Sequence, residues 1–141
     1  MQLVRVLEPR PRTLRSKVIE AFRAFQLELF LSKEEILSGY LSFTPFGRNI
    51  EGVETASWAY FGHSADQLSP AEIATLLAVP QNPNIRYPRE RNRDRLQAAR
   101  DEIAERLLRE ERLPLGPEDA SLGPEEVLAQ VKATRVPTSL R

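Results

Sequence analysis

The apolar residues of this chain recur at helical and never at strand spacing, and that pattern constrains its fold more than any other feature. From Thr13 onward Leu14, Val18, Ala21, Phe22, Phe25 and Leu29 fall three or four positions apart, which predicts a helix over 14–31 with one buried stripe. Ser32 followed by Glu35 has capping-box spacing and starts a second helix whose apolar face is Ile36, Leu37, Tyr40 and Leu41. Ser69, Pro70 and Glu72 repeat the signal with a proline in the first turn, predicting a helix over 70–79. No stretch alternates long enough for a strand, so the predicted class is all-α.

Other segments follow from turn chemistry. Ser42 to Gly52 concentrates Pro, Gly and Asn and reads as a loop anchored by Phe43 and Phe46. Val53–Phe61 makes a compact helix ended by Gly62, with Trp58, Tyr60 and Phe61 assigned to the core. Three prolines between 80 and 88 interrupt regular structure. A charged helix follows over 92–113, and its narrow apolar face predicts a surface position. The Pro, Gly and acid-rich run after Leu113 reads as a hinge, Pro124 opens a last helix to about Lys132, and ATRVPTSLR reads as a linker. The domain expectation is one unit over 1–112 and a connector over 113–141.

Composition narrows the chemistry. The 141 residues carry 20 Lys plus Arg and 20 Asp plus Glu, so no global field draws in nucleic acid. A helix-turn-helix reading of SPAEIATLLAVPQNPN fails because prolines, not a basic recognition helix, follow it. No nucleic-acid partner is expected. The absence of Cys removes disulfides, thiolate metal sites and a Cys nucleophile, and the single His63 has no partner nearby in sequence and receives no catalytic role. No run reaches the ~18 apolar residues of a membrane span, and the N-terminus does not read as a signal peptide.

Charge is lopsided in one place. Over residues 1–23, Arg5, Arg10, Arg12, Arg15, Lys17 and Arg23 oppose only Glu8 and Glu20, six against two, a local excess of four. At 100° per residue, Lys17, Glu20 and Arg23 share a helix face away from Val18, Phe22 and Phe25, which displays a carboxylate among cations. Such a cluster suits phosphate or pyrophosphate, with the carboxylate orienting a cation or holding a metal. On spacing alone, a solvated face whose pairs contribute about 0.2–0.5 kcal/mol each is the better explanation.

The ordered blocks LRSKVIEAFRAFQLE, SKEEILSGYL, PFGRNIEGVETASWAYFG, LSPAEIATLLAVPQNP and YP supply what spacing does not. Over about residues 1–110 they resemble the family-51 peptidoglycan glycosyltransferase domain of bifunctional penicillin-binding proteins, nearest to its 1C branch. The resemblance implies the C-terminal portion of an all-α, lysozyme-like fold that polymerises lipid II at the periplasmic face of the bacterial inner membrane. The implied substrates are lipid II and a growing glycan on undecaprenyl pyrophosphate. Residue by residue, Glu20 matches the second glutamate of the family's third motif and is the implied catalytic carboxylate. Lys17 matches the lysine preceding it, while Gln2 and Arg5 match pyrophosphate contacts at the end of the second motif. Lys33 and Tyr40 match site-building positions of the fourth motif. The resemblance leaves a divalent ion, Mg2+ or Mn2+, open at Glu20.

Three departures accompany the match. The first motif, with its general-base glutamate, and most of the second are expected upstream of Met1, as a transpeptidase domain is expected beyond the connector. Ser16 and Val6 stand where many members carry arginine and asparagine, and Ser42 replaces an asparagine ending the fourth motif. Two readings result: a glycosyltransferase domain that needs its upstream segment for turnover, or a noncatalytic helical interaction module whose exposed groove holds a partner.

Overall fold

A computed structural model describes residues 1–117, 119 and 121–141; Glu118 and Ala120, in the predicted hinge, lie outside the described residues. Its helices are α1 (Gln2–Leu7), α2 (Leu14–Phe30), α3 (Lys33–Phe43), α4 (Val53–Tyr60), α5 (Pro70–Ala78), α6 (Pro83–Arg86), α7 (Arg93–Arg109) and α8 (Pro124–Ala133), with 3-10 turns at Ala65–Gln67 and Glu90–Asn92. Among the described residues the one β-type pairing is an isolated antiparallel bridge between Pro45 and Glu51.

The helix starts form as their caps dictate. Thr13 Oγ1 accepts the Ser16 amide at 3.1 Å, and Ser32 Oγ accepts that of Glu35 at 3.2 Å while Glu35 returns a bond to the Ser32 amide at 2.7 Å. Ser69 and Glu72 make the same reciprocal pair ahead of Pro70. Gly62, at φ 83°, ends α4 by donating to the Trp58 carbonyl at 3.0 Å. Helix α7 stops four residues before the predicted end because Glu111 turns left-handed and the Arg112 amide closes back on Leu107 at 2.8 Å.

The core lies between Phe46 and Val136, with α5 and α7 as its principal pair. Ala71, Ala74 and Ala78 give α5 a small-residue surface that brings the helices close, and Leu96, Ala99, Ile103 and Ala104 answer from α7. The predicted surface position of α7 is therefore corrected. Its apolar stripe is narrow, but it is wrapped by α5 and α8, and even Arg100 has no exposed surface. The linker reading of 133–141 is corrected as well: Val136 is buried, and the Arg141 amide donates to the Ala59 carbonyl at 2.9 Å. Within the predicted aromatic group, Tyr60 and Phe61 are core, but Trp58 points outward and bonds Glu54 at 3.0 Å. Phe46 anchors its loop from inside, whereas Phe43 stays exposed.

Helices α1 to α3 form a thinner layer beside this core. Helix α1, too short to show in the sequence periodicity, buries Leu3 and Val4, and Leu3 sits against Gly39 of α3, where an added Cβ would lie 3.4 Å from its side chain. The buried side of α2 is the reverse of the predicted one. Ser16, Glu20 and Ala24 face inward, while Leu14, Val18, Phe22, Phe25 and Leu29 are each more than half exposed. Ser16 and Ala24, small residues on either side of the paired Glu20, let α1 lie against that face, leaving the larger apolar stripe without a partner among the described residues.

Candidate active site

The residues singled out in the sequence sit on α1, α2 and the first and last turns of α3. Inward rotation of α2 brings Glu20 under α1, where its side chain is only 5% exposed and its carboxylate accepts Arg5 Nη2 at 2.9 Å. Arg5 itself is half exposed, so one end of its guanidinium is tied to a buried acid while the rest faces solvent. Glu20 is thus not displayed among cations, as its spacing predicts; it is seated beneath one of them. A burial this deep is sustained only because the charge is paired.

Lys17 stands one helical turn before Glu20, exposed and without an ion-pair partner among the described residues. Gln2 occupies the matching position one turn before Arg5 on α1, also exposed. The structure therefore joins Arg5 to Glu20 directly and places Lys17 and Gln2 on the two helices that carry that pair. Lys33 opens α3 at its exposed first turn and Tyr40 is half-buried near its end; neither bonds to Glu20 or Arg5. They belong to the layer that supports α1.

A cleft of about 300 Å3 opens between α1 and α2, lined by Val4, Leu7, Glu8, Arg23, Gln26, Leu27 and Phe30. Arg23 comes from the predicted cluster, but Lys17 and Glu20 do not line this cleft. Glu8 and Gln26 are additions: Gln26 lies one turn after Arg23 and accepts its guanidinium at 3.4 Å. The hydrogen bond from Arg10, aided by the charge of Arg23, holds the Glu8 carboxyl below the usual carboxylate range.

The donor set does not build a metal centre. No group of three or more His, Asp or Glu side chains converges among the described residues, and the Glu20 carboxylate already faces the Arg5 guanidinium. His63, given no role from sequence, is bonded through Nε2 to Glu72 Oε1 at 3.1 Å, on α5 and away from the α1–α2 pair.

Comparison with known proteins identifies the class. A family described as Transglycosylase matches residues 1–108, and the chain belongs to that family. It is 45% identical over 107 residues to penicillin-binding protein 1C of Escherichia coli (strain K12), covering 76% of this chain and 14% of that protein. Penicillin-binding protein 1A of the same organism is 37% identical over 99 residues, covering 70% and 12%. The chain spans less than a fifth of the length of these relatives. A crystal structure of penicillin-binding protein 1A from Haemophilus influenzae aligns over 99% of this chain and 17% of that one, with a TM-score of 0.58 and 18% identity. That likeness shows the fold, which is all-α and of the lysozyme-like type expected.

Proposed function

We propose that residues 1–141 supply the donor-side half of a peptidoglycan glycosyltransferase, the part that holds the pyrophosphate of a lipid-linked glycan while lipid II is added to it. The Arg5–Glu20 pair, inside the family-matched region, carries this reading. In the reaction implied by the family, the 4-hydroxyl of lipid II attacks the anomeric carbon of the donor with inversion, and undecaprenyl pyrophosphate leaves. The leaving group gathers negative charge as its bond breaks, so fixed cations beside it lower the barrier. Lys17 and Arg5 fill that role, and Gln2 adds a neutral hydrogen-bonding side chain. Glu20 acts through Arg5: its buried carboxylate fixes the guanidinium in place before the ligand arrives, so less ordering remains to be done on binding. Lys33 and Tyr40 build the α3 support.

The proton of the attacking hydroxyl needs a base, and the resemblance assigns it to the first motif, which is not among these residues. Loss of a general base typically costs about 10²–10⁴ in rate, so 1–141 alone is expected to turn over negligibly. The substrates place the reaction at a membrane surface, at the periplasmic face of the inner membrane in a bacterium. No helix among the described residues is long and apolar enough to cross a membrane. Residues 113–141 would connect this domain to a transpeptidase domain.

The test is gel analysis of lipid II polymerisation by 1–141 and by the same chain preceded by a first-motif segment. Glycan product from the extended chain alone is expected. Product from neither would overturn the reading, and product from both would place the base within 1–141.

A further inference from the structure

A second cluster of cations lies outside the α1–α2 pair and takes no part in the function above. The loop after α3 turns at Gly47 and Arg48, closed by the Phe46 amide on the Ile50 carbonyl at 2.9 Å and the Ile50 amide on the Gly47 carbonyl at 3.1 Å. Arg48 is left-handed at φ 49°, a region that non-glycine residues enter rarely, and such outliers are often retained where they aim a side chain. Its guanidinium lies 5.6 Å from the centroid of the Tyr87 ring, and so does that of Arg89. The ring is buried, seated against Gly47, where a Cβ would fall 2.6 Å from Tyr87 Cδ2, and fixed through its own carbonyl by Asn92 Nδ2 at 2.9 Å. Two arginines from distant parts of the chain are thus gathered onto one immobile aromatic.

Beside them is a cavity of about 270 Å3 lined by Arg48, Pro83, Asn84, Tyr87, Arg89, Arg91 and Asn92. No carboxylate lines it, and among the described residues none of its three arginines pairs with an acid. Glu90, the nearest acid in sequence, is engaged by Arg93 at 3.4 Å instead. The adjoining hollow beyond Asn84 and Arg91 brings one carboxylate, Asp94, and a fourth cation, Arg95. Three uncompensated guanidinium groups repel one another unless an anion joins them. Their forked donors suit a group with several oxygens, and the volume lies below the roughly 300–1,000 Å3 of sites for drug-sized molecules.

We propose that Arg48, Arg89 and Arg91, gathered around Tyr87, form a second anion site that takes a single phosphate group, either free or at the head of an anionic lipid. The proposal does not rest on the glycosyltransferase reading. The test follows the arginine side-chain Nε–H resonances of the whole chain in the Lys17→Ala background, where anion held at the α1–α2 site is weakened and is read at Arg5, apart from the three arginines of this site. Inorganic phosphate is one probe; vesicles of phosphatidylglycerol with phosphatidylcholine, against phosphatidylcholine alone, are the other. Saturable phosphate shifts at Arg48, Arg89 and Arg91, weakened at least about tenfold by Arg48→Gln with Arg91→Gln, support the site with a free-phosphate source. Association with the anionic vesicles only, reduced by the same pair of substitutions, supports it with a lipid source. No response to either probe, or a response that the double variant leaves unchanged, overturns it. If the double variant fails to fold by circular dichroism, Arg91→Gln alone decides, because Arg91 is exposed and the two guanidinium groups stacked on the Tyr87 ring are those of Arg48 and Arg89.

Discussion

The Arg100 guanidinium, with no exposed surface, donates through Nη1 to the Thr134 carbonyl at 2.7 Å, reaching from α7 to the residue that caps the C-terminus of α8. Its Nε bonds Asp101 at 2.6 Å, and its Nη2 has no partner among the described residues. A cation at the negative end of a helix is favourable, and this one also ties the C-terminal helix to the core.

Arg100→Ala is therefore expected to destabilise the chain by about 3 kcal/mol, through the cavity left and the bonds lost. Arg100→Met, which refills the space with apolar atoms, should cost only about 1–2 kcal/mol, because Thr134 is exposed and water can replace part of the lost bond. Urea unfolding of the two variants gives both figures. Proteolysis should cut 134–141 sooner in Arg100→Ala, and equal stability of the two variants would show that filling the space beside Arg100 adds nothing to stability.

His63 makes stability depend on pH. Each ring nitrogen faces an acceptor, Nδ1 the Ser64 carbonyl at 3.1 Å and Nε2 the Glu72 Oε1 at 3.1 Å, and only the protonated ring donates to both. The bond to the Ser64 carbonyl first, then that to Glu72, raise its pKa above 6.5. A raised folded value means that the contribution is complete below 6.5 and is lost as pH climbs through the folded pKa. Proton NMR titration of the ring should show the upward shift, and Glu72→Gln should move it back toward 6.5. An unchanged value in that variant would remove Glu72 as a cause.

The same elements show what a sequence of this kind does and does not disclose. Caps at Ser32 and Ser69 are local chemistry, satisfied by residues three positions away, so those helix starts were legible without any tertiary knowledge, whereas the start at Leu14 was legible only from the apolar spacing and the cap at Thr13 came from the structure. Which side of α2 turns inward was not. Periodicity reports that a helix has two faces, and Leu14, Val18, Phe22 and Phe25 marked the apolar one, but burial depends on which neighbour arrives. Here that neighbour is α1, six residues long, packing on the face of Ser16, Glu20 and Ala24. Arg100 was hidden for a related reason: nothing local tells a charged residue on a solvated helix from one that reaches a carbonyl 34 positions away. For the candidate site, the residues came from the family blocks, and the pairing of Arg5 with Glu20 came only from the fold.

That pairing makes the two single substitutions unequal. Arg5→Ala leaves a carboxylate buried without a partner, whereas Glu20→Gln leaves a neutral amide in its place and frees a half-exposed arginine. Arg5→Ala should cost about 1–2 kcal/mol, moderated because water reaches the Arg5 side of the pair, and Glu20→Gln should cost less. In pyrophosphate titrations by calorimetry, Lys17→Ala and Arg5→Ala should each weaken binding about three- to tenfold. Glu20→Gln should weaken it too, with the charge of Arg5 intact, if holding the guanidinium in position is what the buried carboxylate does. Undiminished binding in Glu20→Gln would reduce Glu20 to a packing role.

The outward face of α2 separates two pictures of that helix by magnitude. Phe22 and Phe25 are about 60% exposed, on the same side as Leu14, Val18 and Leu29. Aromatic residues in a core cost about 3–5 kcal/mol when cut to small ones, while exposed positions change stability by about 0.5 kcal/mol or less. Phe22→Ser with Phe25→Ser is expected to leave the urea midpoint nearly unchanged and to lower the adherence of the chain to detergent micelles and to itself, because a contiguous apolar stripe of this kind binds other apolar surfaces. Unfolding together with analytical ultracentrifugation reads both effects. A loss of several kcal/mol would mean that the stripe is buried in solution and that Glu20 faces outward, which would also dissolve the Arg5 pair. Unchanged stability with reduced association keeps the carboxylate inward, and with it the Arg5–Glu20 pair on which the pyrophosphate proposal rests.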